Sequence, residues 1–161
     1  MNTILGGNMS SRLFIEVRER RGLAYYVSSS MVDFTDAGAI AIGAGVDIQK
    51  IGDALEVILQ ELKKLKNKPV SAAELRRAKE NIKGRTYLGL EDSMSVAQFL
   101  AEQEMFWDRI KTPEQIIREN FTVSPKDIQE VANDIFLPER LNLAVVGPYK
   151  DGKVFDKDLA I

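Results

Sequence analysis

Histidine and cysteine are both absent from the 161 residues, and these two absences exclude a great deal of chemistry. Without cysteine there is no disulfide framework, which allows a reducing compartment. A catalytic zinc usually takes three protein ligands from His, Cys and carboxylate and keeps one position open for water. Only carboxylates remain here, and neither Glu16 with Glu19 nor Glu102 with Glu104 has ligand spacing; both pairs read as solvated helix faces. A Ser–His or Cys–His nucleophile is excluded, and Ser10-Ser11 has no lysine placed to activate it. An excess of positive charge is also missing: the formal net charge is −2, so no basic footprint for nucleic acid exists. No apolar run approaches the roughly 18 residues that cross a bilayer. The amino terminus has no basic segment followed by an apolar one, so no signal peptide is expected.

The composition that remains is that of an ordinary globular domain, and the length suits one. Ile4, Leu5, Met9, Leu13 and Val17 recur at helical spacing, with Gly6-Gly7 marking close packing or a kink. Gly22 is placed to end this helix in a left-handed conformation, after a last turn rich in arginine. Leu23 to Val32 then reads as a strand, Asp33 to Asp36 as a hairpin turn, and Ala37 to Val46 as a second strand. The second strand is small and apolar on both faces, which predicts a central position in a sheet. Its Gly43 and Gly45 predict close approach by a helix or another backbone.

Five helix starts follow. Asp47 caps a helix whose Ile48, Ile51, Leu55, Ile58, Leu62 and Leu65 share a face, and Ser71 with Glu74 forms a capping box for a helix to about Leu90. Asp92-Ser93 opens a helix carrying Val96, Phe99, Leu100 and Phe106, and Thr112-Pro113-Glu114-Gln115 opens another. Ser124-Pro125 begins the last helix, with Ile128, Val131, Ala132, Ile135 and Phe136 on one face, and Pro138 stops it. Leu141 to Val146 reads as a buried strand ended by Gly147-Pro148. A hairpin with clustered helices argues for an α+β fold, two-layer, with helices packed on one face of a largely antiparallel sheet. Three strands are few for so much helix. The chain also opens in mid-helix, so a piece of something longer, lacking a first strand, is expected.

Leu5 to Arg12 lacks the Gly-Lys-Ser/Thr ending that a phosphate loop needs. Arg18 and Tyr25 are better candidates for chemistry. An arginine fork can hold a peptide carbonyl or carboxylate, and a tyrosine hydroxyl can donate to an oxyanion formed when water attacks an amide. By spacing alone, however, Arg18 is most simply a solvated residue at a helix end, and Tyr25 a strand residue with its ring in the core.

The run Leu5-Gly6-Gly7-Asn8-Met9-Ser10-Ser11-Arg12-Leu13-Phe14, with Val17-Arg18 and Arg21-Gly22-Leu23-Ala24-Tyr25, resembles the second α/β domain of the pitrilysin-type (M16) zinc metallopeptidases. Glu74-Leu75, Ala78-Lys79, Leu90-Glu91-Asp92-Ser93, Asp127-Ile128 and Leu143 to Pro148 fit the same order, so the likeness covers essentially the whole chain. It implies a single carboxy-terminal-type domain over 1–161, detached from an upstream domain that holds zinc through an inverted His-x-x-Glu-His motif. That motif is absent here. Zinc is therefore expected in the upstream domain or a partner subunit, with no metal or cofactor bound by this chain.

The family uses an arginine and a tyrosine seven residues apart in this domain type, reaching the zinc site across a clamshell, and Arg18 and Tyr25 match them. The resemblance implies a metalloendopeptidase part that binds peptides or unfolded polypeptides and stabilises the oxyanion, in a bacterial, cytoplasmic protein. Expected partners are a peptide substrate and a zinc-bearing M16 domain or subunit, with a homodimer allowed by the open sheet edge. Neither nucleic acid nor a membrane is among them. The alternative is a non-catalytic homologue serving as scaffold or partner subunit, as in respiratory complexes. A third reading is an α+β domain unrelated to peptidases.

Overall fold

The computed structural model describes residues 1–107, 109–151 and 155, and within them a single hairpin faces a layer of helices. Strand β1 (Ala24–Asp33) pairs antiparallel with β2 (Gly38–Val46), and the Phe34 amide donates to the Ala37 carbonyl across the turn. Val27 and Ser29 of β1 point inward. Opposite them in register are Ala44 and Ile42, and these with Ile40 and Val46 pack onto the core. The helical layer comprises α1 (Asn2–Leu5), a π-helical turn (Phe14–Glu19), α2 (Ile51–Asn67), α3 (Ala72–Leu88), α4 (Ser93–Phe106), α5 (Pro113–Thr122) and α6 (Pro125–Ile135). Leu5, Leu13, Val17, Leu62, Leu65 and Ala132 form the driest part of the core between the layers. The architecture is α+β, with helices on one face of an antiparallel sheet.

Several local expectations hold. Thr112 and Gln115 form a capping box, as do Ser124 and Asp127, each with Pro at the first helical position. Gly22 has φ +57°. Gly6 marks a close approach, since a Cβ there would lie 2.4 Å from the Ser29 amide nitrogen.

Others are corrected. The helical spacing from Ile4 to Val17 does not make one helix: α1 stops at Leu5, and Met9 lies exposed in the intervening turns. There the Asn8 side chain takes over, donating to the Thr3 carbonyl and accepting from the Ser10 amide. Among the described residues strand β2 is one of two strands, not central, and its outer face is open. Gly43 has nothing within 4 Å of a Cβ position, so no close approach explains it. Ile48 lies in a 3-10 turn ahead of α2 and is exposed. The apolar residues of α4 stay largely outside the core, with Val96, Leu100 and Phe106 exposed. Leu141–Val146 has strand composition but lies in no ladder, because no described segment pairs with it. Backbone pairing needs a neighbour as well as a propensity.

The capping box at Ser71 is only half made. Ser71 accepts from the Glu74 amide, but the Glu74 carboxylate turns away to a bidentate pair with Arg12, at 2.8 and 2.9 Å. This ties α3 to the segment before the π-helical turn, and Arg85 donates to the Gly7 carbonyl nearby. The Arg12 hydrogen bond, chiefly, holds the Glu74 carboxyl below its ordinary value. Its contribution is therefore complete above the unfolded Glu value of about 4.3 and fades as pH falls through the lower folded one. Glu74→Gln is expected to cost about 1 kcal/mol at pH 7. In urea titrations the gap from the parent should shrink towards pH 3.

Candidate functional site

The last helical turn before β1 is π-helical: the Arg20 amide donates to the carbonyl of Ile15, five residues back. Such turns are rare and often occur at functional sites. Gly22 then reverses the chain in a single left-handed residue, with its amide on the Arg18 carbonyl and the Leu23 amide on the Val17 carbonyl. Val17 and Leu23 are buried, so both ends of the reversal are anchored in the core. Arg18 is left on the outside, at the corner where β1 begins.

Tyr25 reaches the same corner through a bulge. Ala24 pairs with Val46 and Tyr26 with Gly45, so Tyr25 is an extra residue with no opposite number. In a regular strand Tyr25 would share the inward face with Val27 and Ser29. The extra residue shifts the alternation, and Ala24 takes the inward place while Tyr25 is 85% exposed. Bulges re-aim side chains in this way and are common beside active sites.

The two residues meet. The Arg18 guanidinium carbon lies 5.9 Å from the centre of the Tyr25 ring and 5.0 Å from that of Phe14. Stacking on aromatic faces leaves the in-plane N–H donors of a guanidinium available for hydrogen bonds. Neighbouring charges are arranged to the same end. Glu16 pairs with both Arg20 and Arg21, and its carboxyl is held low, chiefly by the hydrogen bond from Arg21. Among the described residues no carboxylate pairs with Arg18. The corner thus presents the exposed Arg18 guanidinium, without a carboxylate partner among the described residues, beside the exposed Tyr25 phenol. Together they can hold a carbonyl, a carboxylate or an oxyanion.

The described residues form no site for a hydrolytic metal. Imidazole and thiolate are absent from the sequence, and among the described residues no three acidic side chains converge.

The family resemblance pointed to Arg18 and Tyr25 as site residues; Phe14 and Glu16 were not among them. Phe14 stands four residues before Arg18, one helical turn below it, which is a signal in hindsight. The partner of Glu16 could not be chosen by spacing among three arginines.

The family model described as the peptidase M16 inactive domain matches residues 1–82. The chain belongs to the M16 peptidase family. It is 38% identical over 151 residues to an uncharacterised zinc protease of Streptomyces coelicolor, covering 94% of this chain and 33% of that protein. A protease from Helicobacter pylori has a similar structure, with 26% identity and a TM-score of 0.74 over 84% of this chain and 33% of that one. A peptidase M16 inactive domain from Pseudomonas fluorescens shares the fold at 22% identity, with a TM-score of 0.69 over 84% of this chain and 32% of that one. The chain spans about a third of the length of the curated relatives it matches. These relatives are bacterial. Among the described residues no helix is long and apolar enough to cross a membrane.

Proposed function

We propose that this chain is the substrate-binding, active-site-completing domain of a bacterial zinc-dependent metalloendopeptidase acting on peptides or unfolded polypeptides. The observation that supports this most is the meeting of Arg18 and Tyr25, from a π-helical turn and a bulge, with Arg18 free of any carboxylate among the described residues. In this reading the metal and the general base belong to a companion M16 domain, in the same protein or in a partner subunit. Arg18 holds a substrate carbonyl through its N–H edge, while Phe14 and Tyr25 occupy its faces. The Tyr25 hydroxyl donates to the oxygen that gains charge when water adds to the scissile amide. Neither residue moves a proton in the ground state; their work is orientation and charge stabilisation.

The same reading makes the open faces of the hairpin one wall of a chamber shared with the companion domain, and it allows pairing of two copies. A cytoplasmic location belongs with it, in keeping with a chain free of cysteine. The test compares peptide hydrolysis by the chain joined to its companion domain, with zinc, against the chain alone. Activity is expected only in the joined form. Hydrolysis by the chain alone would overturn the reading, and inactivity of both would favour the non-catalytic scaffold.

A further inference from the structure

Gly45 touches neither Arg18 nor the proposed substrate position, yet it faces the one irregular place in the sheet. In the register it is the partner of Tyr26, immediately across from the bulge. A Cβ built on Gly45 would lie 2.4 Å from Cε1 and 2.8 Å from Cδ1 of the Tyr26 ring. The ring therefore lies over bare backbone, in space that any other residue would fill. Gly43, two residues earlier on the same outer face and opposite Ser28, has nothing within 4 Å of its Cβ position. Of Gly43 and Gly45, the one that a side chain would crowd is the one facing the bulge.

Resting on the assignment of Tyr25 above, we propose that Gly45 is a positioning residue for the site: by accepting the Tyr26 ring it holds the bulge that presents Tyr25 to Arg18. The reasoning is steric. Tyr25 is turned outward only while the extra residue stays between Ala24 and Tyr26. Tyr26 is 55% exposed, and its ring lies in the slot over Gly45. Displacing the ring allows the strand to return to regular alternation, which carries Tyr25 off the outer face.

Two readouts test this, the first independent of turnover. In isotopically labelled protein, nuclear Overhauser contacts between the Tyr25 ring and the Arg18 side chain should be present in the parent and in Gly43→Ala. They should be lost in Gly45→Ala and equally in Tyr26→Ser, because each leaves the slot over Gly45 without the ring. Contacts that persist in Gly45→Ala or survive Tyr26→Ser, or that vanish equally in Gly43→Ala, would overturn the proposal.

In the form joined to its companion domain, Gly45→Ala should lower kcat by about tenfold with little change in KM, as expected of a displaced donor. Tyr26→Ser should lower kcat to a similar extent. If Tyr25→Phe costs nothing while the contact is still lost in Gly45→Ala, the oxyanion role fails and the positioning stands. If Tyr25→Phe costs activity and the contact survives Gly45→Ala, the positioning fails alone.

Discussion

Tyr25→Phe is expected to lower kcat/KM for peptide hydrolysis on the order of 10²-fold in the form joined to the companion domain, and Arg18→Ala by a similar factor. The size follows from what each group would lose. Tyr25→Phe removes one hydroxyl from an exposed ring, so the cation–π contact with Arg18 and the surrounding fold remain. A donor that acts chiefly on the oxyanion should appear in kcat more than in KM. Arg18→Ala removes a fork that holds substrate in both ground and transition states, so KM should rise as well. Arg18→Lys should recover only part of the loss, because an ammonium offers neither the planar edge nor the stacking face. Both variants should unfold within about 0.5 kcal/mol of the parent, as exposed residues normally do. Turnover within about twofold of wild type in both variants would remove the assignment.

Gly6→Val is expected to have the largest effect on stability. A Cβ at Gly6 would meet the Ser29 main chain at 2.4 Å and its Cβ at 2.9 Å. The Ser29 amide also donates to the Gly6 carbonyl, so the backbone of β1 cannot withdraw without losing a buried hydrogen bond. Relief by rotating a flexible side chain is not available, because the nearest obstacle is backbone. Overpacking usually costs 1–3 kcal/mol, and this geometry should lie at or beyond the upper end, about 3 kcal/mol. For a domain of this size that is a fall in Tm of roughly 6–12 °C. Thermal unfolding followed by circular dichroism measures it. A change below about 1 kcal/mol would mean that α1 does not pack on β1 as described.

Features written within a few residues of one another were legible in the sequence. The capping box at Thr112 needs only Gln115, and the left-handed end of the first segment needs only Gly22. Features decided by distant partners were not. Glu74 reads as the third member of a capping box until Arg12, 62 residues away, takes its carboxylate. Leu5, Met9 and Leu13 keep helical spacing across a stretch that is not helical, because the approach of β1 at Gly6 ends α1. Leu141 to Val146 shows strand preference, which is necessary for a ladder but cannot supply the other half of one.

At the site it is the likeness to the M16 pattern, more than residue type or spacing, that singles out Arg18 and Tyr25. Their exposure did not follow from the sequence. A tyrosine in a strand is by default half in the core, and only the register between Ala24 and Tyr26 turns this one out. The sequence predicts close approach of a helix or another backbone at Gly45, and the neighbour there is instead a tyrosine ring.

The central claim is that catalysis by the companion zinc domain depends on groups this chain supplies from outside. Complementation in trans tests it most directly. The zinc-bearing domain is assayed alone, with this chain added, and with the Arg18→Ala/Tyr25→Phe chain added, while binding of each chain to that domain is measured in parallel. The account predicts hydrolysis only with the wild-type chain, although both chains bind equally. Equal hydrolysis with the doubly substituted chain, or full activity of the zinc domain alone, would contradict it.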